Sequence, residues 1–78
     1  MAKHLVVCIN NEGYPASLEP RKLYERLPDA EAERDGLIRV IDESGEDYLY
    51  PKARFRDVEL TPATKKAVLA AAPAAAVA

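Results

Sequence analysis

Residues 39–60 read as strand, tight turn, strand, a proline-led single turn and a last short strand, and that order narrows the fold more than any other feature of the chain. Glu43-Ser44-Gly45 separates two β-rich runs, Leu37 to Asp42 and Glu46 to Tyr50. A three-residue hairpin loop closes on a residue in the left-handed region, which Gly45 adopts without steric cost. The resulting register sets Asp42 opposite Glu46, Val40 opposite Tyr48 and Ile38 opposite Tyr50. Ile38, Val40, Tyr48 and Tyr50 then share one face, and Arg39, Ile41, Asp47 and Leu49 the other. The first face is expected to point inward, because burying Arg39 and Asp47 is costly; a one-residue slip would invert both. Pro51 forces the chain out of the ladder. Lys52-Ala53-Arg54 suits one helical turn, Phe55 returns an anchor to the body, and Val58 and Leu60 are expected to continue the final strand.

Upstream, His4 to Asn10 is rich in Val, Ile and Leu and apolar on both faces, as in a central or doubly covered strand. Asn10 to Ser17 collects turn formers around Gly13 and Pro15 and reads as a long structured loop. Arg21 to Leu27 has two readings. As a helix it is capped by Ser17 and ended by Pro28; as a strand it pairs with Ile38 to Asp42. A small sheet needs a strand here, and the strand is preferred. Pro28 to Gly36 is a polar surface excursion with room for one helical turn, Asp29 and Glu31 at its start and Gly36 as its stop. Thr61-Pro62 is a helix start, Thr as N-cap and Pro at the first position. The Ala-rich segment that follows, residues 61–78, is expected to be a partly helical or disordered tail on a domain of residues 1–60.

At 78 residues the chain holds one domain. Without the alanine-rich end, burial is marginal, and a core of this size supplies about 3–5 kcal/mol. Closing the sheet into a barrel would remove the exposed strand edges that so small a sheet cannot cover. A net charge of -2 gives no overall pull toward nucleic acid or an anionic membrane. Cys8 is the only cysteine, which excludes a disulfide framework and a zinc quartet and fits a reducing compartment. The apolar start lacks a cleavage site and the length to span a bilayer, so it reads as a strand of a cytoplasmic protein.

Laid out in this way, the chain resembles a Src-homology-3-like (SH3-like) barrel: strand, long loop, strand, second loop, hairpin, one helical turn and closing strand. The match is carried by Tyr50-Pro51-Lys52-Ala53-Arg54-Phe55-Arg56-Asp57-Val58, with one extra residue between the proline and the aromatic. More narrowly, Leu37 to Pro51, which contains Arg-Val-Ile-Asp-Glu-Ser-Gly-Glu-Asp-Tyr-Leu-Tyr-Pro, resembles small uncharacterised bacterial single-domain proteins. Arg21-Lys22-Leu23-Tyr24 and Leu27-Pro28-Asp29 belong to the same resemblance, which covers roughly residues 5–60. It implies a mostly β fold of about five strands and a bacterial origin. Of the groove residues of peptide-binding SH3 domains only Pro51 and Phe55 carry over, and the chain has no tryptophan.

No constellation of residues points to catalysis, a cofactor or a metal. Asp42, Glu43, Glu46 and Asp47 gather carboxylates around one turn, but without the alternating oxygens and distal Glu of a calcium loop. They read as a solvated acidic tip. His4 has no partner at ligand spacing and reads as a surface or edge residue. Cys8 reads as a buried thiol. Ser17 lacks a Gly-x-Ser-x-Gly setting, and the three glycines are too scattered for a phosphate loop. Tyr14, Tyr24, Tyr48, Tyr50, Pro51 and Phe55 serve either the core or an exposed contact platform. The preferred expectation is a non-enzymatic protein- or peptide-binding module, a monomer or weak homodimer, with Tyr14, Tyr50, Pro51 and Phe55 as the contact set. The alternative is a nucleic-acid accessory protein using Arg21, Lys22, Arg26, Lys52, Arg54 and Arg56 as a basic patch.

Overall fold

The computed structural model describes residues 4–71. Five strands form a single antiparallel sheet: β1 (His4–Cys8), β2 (Leu23–Leu27), β3 (Leu37–Ile41), β4 (Asp47–Pro51) and β5 (Phe55–Asp57). Two short helices accompany them, α1 (Ala30–Arg34) and α2 (Pro62–Ala70), and a 3-10 turn at Lys52–Arg54 joins β4 to β5. The spatial order is β4-β3-β2-β1-β5, so β1 sits between β2 and β5 and is paired on both sides.

The ambiguous second segment is a strand. Leu23–Leu27 pairs with β1 through Val6↔Tyr24 and with β3 through Glu25↔Ile41 and Arg26↔Val40. The hairpin keeps the expected register, Ile38↔Tyr50 and Val40↔Tyr48, and Asp42 N–H donates to the Glu46 carbonyl at 3.1 Å. Gly45 takes φ +84°, and its N–H closes the loop on the Asp42 carbonyl at 3.0 Å. In α1 the Asp29 side chain caps the Ala32 N–H, and Gly36 follows at φ +75°. Thr61 caps α2 through the Thr64 N–H, with Pro62 in its first turn. The expected fraying of the tail beyond Ala71 lies outside the described residues.

The barrel expected from the element order is not closed. Among the described residues β4 and β5 are the two edges of the sheet and share no ladder. Pro51 has no N–H to offer, the 3-10 turn consumes the residues that would zip the edges, and β5 has only three residues. The final strand also stops at Asp57 instead of running on through Val58 and Leu60, although Val58 N–H still donates to the Leu5 carbonyl at 3.2 Å.

Val6, Cys8, Leu18, Tyr24, Ile38, Val40, Tyr50 and Phe55 form the core, with Tyr14 packed against it. Leu18 comes from the long loop, held there by its N–H on the Tyr14 carbonyl and its carbonyl on Asn11 Nδ2. A fully buried Leu contributes about 1.5–3 kcal/mol, which gives the loop a reason to be structured. Tyr48 departs from expectation. The register gives it the inner face, yet it is 50% exposed, because it sits at the edge strand where nothing covers it.

Candidate functional site

The hairpin tip is a clasp rather than a solvated acidic loop. Asp42 is 6% exposed and accepts from the Tyr50 hydroxyl, the Ser44 hydroxyl and the Ser44 N–H. Burial alone would push its carboxyl up, but these donors outweigh it and hold the group below its ordinary value. Glu43 reaches back to β2, accepting from the Tyr24 hydroxyl and from Lys22 Nζ at 2.7 Å, while its N–H donates to the Ser17 carbonyl at 3.0 Å. Burial again pushes upward, and the Lys22 and Tyr24 bonds bring the Glu43 carboxyl net downward. The phenols respond in the opposite sense: burial and the Asp42 bond push Tyr50 up to about 12, and burial and the Glu43 bond raise Tyr24 as well. Glu46 and Asp47 stay at the surface, Asp47 on Arg39 Nη1 at 2.9 Å. Among the described residues no group of His, Cys, Asp and Glu is arranged to hold a metal ion.

The contact set expected from the sequence is divided. Tyr50 and Phe55 are 4% and 3% exposed and belong to the core, their rings 6.2 Å apart. Tyr14 stands edge-on to Tyr50 at 4.9 Å and partly covers it, with the Arg54 guanidinium 5.8 Å from the Tyr14 ring centre. Pro51 is half-buried at the end of β4.

The basic set is divided too. Lys22 is pinned by Glu43 and Glu19, and Arg54 by Asn10 Oδ1 at 2.8 Å. Arg21 is exposed at the turn before β2 with φ +70°. Arg26, by contrast, projects from the inner face of β2 with its side chain 9% exposed, held by Glu33 at 3.1 Å and Asp57 at 3.4 Å. Asp57 also binds His4 Nε2 at 2.8 Å. Arg26, Lys52 and Arg56 converge on one concavity.

That concavity, about 460 Å³, is bounded by Val6 of β1, Arg26 of β2 and Ile38 of β3 on one side and by the 3-10 turn and β5 on the other. Val6, Ile38 and Phe55, only 1%, 1% and 3% exposed, form its closed floor, Gly36 and Ala53 are small residues on its wall, and Arg26, Lys52, Arg56 and Asp57 supply its charges. Arg56 Nη1 donates to the carbonyls of Phe55 at 2.8 Å and Ala53 at 3.4 Å, which holds the guanidinium beside the opening, with no carboxylate on it among the described residues. Lys52 is exposed and carries no ion pair among the described residues. With Arg26 already balanced by Glu33 and Asp57, Lys52 and Arg56 leave the rim cationic. Phe55 alone of the expected contact set lines this space. Val6, Gly36, Ile38, Ala53 and Asp57 were missed, because alternation marks Val6 and Ile38 as core and gives no sign of a hollow beside them.

No helix among the described residues is long and apolar enough to cross a membrane. No protein-family model, curated protein or solved structure matches the chain.

Proposed function

We propose that the domain is a non-enzymatic binding module whose open concave face takes an acidic, partly apolar peptide segment of a partner protein. The observation that carries this reading is the concavity itself: Val6, Ile38 and Phe55 as its floor, and Lys52 and Arg56 as cations at its rim without carboxylate partners among the described residues. An apolar lining with a few convergent charges is the usual make-up of a small binding site. The Arg26–Glu33–Asp57 group fixes the wall, since an Arg held on two sides keeps its fork in place. The SH3-like order of elements supports a binding role by analogy, with the contact surface moved from an exposed tyrosine platform to the hollow between β1–β3 and the 3-10 turn with β5.

The test is an amide chemical-shift titration of the labelled protein with a synthetic peptide of alternating Glu and Leu, beside a Lys/Leu peptide of equal length. Shifts centred on Val6, Ile38, Ala53 and Phe55, given by the acidic peptide alone and lost in Arg56→Glu, support the proposal. Equal response to both peptides, or none at millimolar peptide, defeats it. Nucleic-acid binding through Arg26, Lys52 and Arg56 is a separate outcome: tight, steeply salt-dependent binding of a short single-stranded RNA in place of the peptide replaces the reading.

A further inference from the structure

The sheet leaves a second unpartnered feature, the outer edge of β4. The Asp42–Glu46 hydrogen bond fixes the parity of the hairpin, and the Lys52 N–H on the Gly36 carbonyl at 2.9 Å continues it at the other end. Antiparallel pairs alternate, so Val40/Tyr48 and Ile38/Tyr50 exchange their bonds across the hairpin. The N–H and C=O of Leu49 therefore point away from β3, as do those of Asp47 and the carbonyl of Pro51. No backbone partner meets them among the described residues. Tyr48 and Leu49, the large apolar residues of this strand at 50% and 42% exposure, stand on its two faces. A bare edge with exposed apolar groups on both faces is a template for another strand.

The strand is also self-complementary. An antiparallel pairing of two copies with Leu49 on the twofold axis sets Tyr48 opposite Tyr50, Asp47 opposite Pro51 and Glu46 opposite Lys52. Glu46 and Lys52 are exposed and neither has an ion pair among the described residues. The strand is thus flanked by an anion before it and by a cation at the start of the 3-10 turn after it, neither ion-paired among the described residues, and a twofold axis brings each toward its opposite. Pro51 falls at the end of this ladder, where its missing N–H removes terminal bonds and leaves the central Leu49 pair intact.

We infer that two copies of this chain pair edge to edge through β4, about a twofold axis at Leu49, with Glu46 of one copy against Lys52 of the other. The interface is isologous, so each contact occurs twice. It extends the sheet across the axis and shares Lys52 with the rim of the concavity; Leu49 and Glu46 lie outside that lining, so Leu49→Lys and Glu46→Lys test the pairing separately from the peptide reading.

Sedimentation equilibrium from micromolar to millimolar protein tests it, with circular dichroism confirming that each variant is folded. The wild type is expected to pass from monomer to dimer in that range. Leu49→Lys is expected to remain monomeric. Glu46→Lys and Lys52→Glu are each expected to weaken the dimer by about tenfold at low salt, because each places like charges at both ends. The double reversal Glu46→Lys/Lys52→Glu restores opposite charges and is expected to recover wild-type affinity. Amide exchange identifies the edge, with the Leu49 N–H gaining protection as the concentration rises. A wild type monomeric at millimolar concentration, a dimer indifferent to Leu49→Lys, a double reversal no tighter than its parents, or a Leu49 amide unprotected in the dimer would each overturn the inference. Capture of a foreign extended peptide on β4 by a wild type that stays monomeric overturns it as well.

Discussion

The Tyr50 hydroxyl donates to Oδ2 of Asp42 at 2.5 Å, and neither residue is more than 6% exposed. Tyr50 belongs to β4 and Asp42 to the turn that precedes it, so this bond draws the hairpin into a curl and buries its own acceptor. Tyr50→Phe keeps the ring and removes the donor, leaving a buried carboxylate short of one partner. The expected loss is about 1–3 kcal/mol, read from urea unfolding. Asp42→Ala/Tyr50→Phe should cost less than the sum of its parents, because both changes remove the same interaction. A strictly additive cycle would show that the bond contributes nothing.

The same pair sets the pH profile. The Asp42 and Glu43 carboxyls are held low in the folded state, so what they contribute is complete above about pH 4 and is lost as pH falls through their folded values. Tyr50 is raised, to about 12, so its contribution is complete below about pH 10 and is lost as pH rises toward that value. Stability is therefore expected to form a plateau with falling limbs at both ends. Asp42→Asn should flatten the acid limb and Tyr50→Phe the alkaline one, in urea midpoints measured across pH. Limbs unchanged in both variants would refute the assignment.

Arg26 is a buried charge held by two carboxylates that are themselves partly in water, at 42% and 61% exposure. Desolvating a guanidinium offsets much of what such pairs provide. Arg26→Met, which keeps the stem packing, is expected to lie within about 1 kcal/mol of wild type. Arg26→Ala removes that packing beside Val40 and should be clearly less stable. Thermal and urea unfolding of the two variants decide it, and equal losses would mean that charge rather than packing matters.

Gly45 and Arg21 both occupy the left-handed region, at φ +84° and +70°. A Cβ at Gly45 would meet nothing within 4 Å, so Gly45→Ala measures backbone strain alone. Its expected cost is about 1–2 kcal/mol. Arg21→Gly relieves the corresponding strain but frees the unfolded chain, so it should fall close to wild type despite losing a charge. A Gly45→Ala variant as stable as wild type, by urea unfolding, would remove the structural reason for that glycine.

The hairpin was legible because its signals agree: alternation, a glycine at the turn and a proline at the exit all specify one register. The strand at Leu23–Leu27 was not settled by local propensity, which fits a helix as well. Pairing on both sides, Tyr24 to Val6 and Arg26 to Val40, decides it, and such partners are remote in sequence. The same remoteness hid the clasp. A run of carboxylates at a turn looks solvated until Tyr24, Lys22 and the Ser17 carbonyl arrive from elsewhere in the chain. The candidate concavity was hardest to foresee, since its lining is drawn from β1, β2, β3, the 3-10 turn and β5, segments remote from one another in sequence. Arg26, Lys52 and Arg56 were named from the sequence as part of one basic patch and Phe55 as part of another set, but their meeting around one hollow was not foreseen.

Hairpin tips are ordinarily the places where a chain accepts extra residues, tags or dyes without harm. Here the tip is bolted to the long first loop and to β2 through Glu43 alone in three separate bonds, to Ser17, Tyr24 and Lys22. A reporter peptide spliced after Ser44 would pry two distant parts of the molecule apart, whereas one placed at the exposed Glu59 would leave them joined.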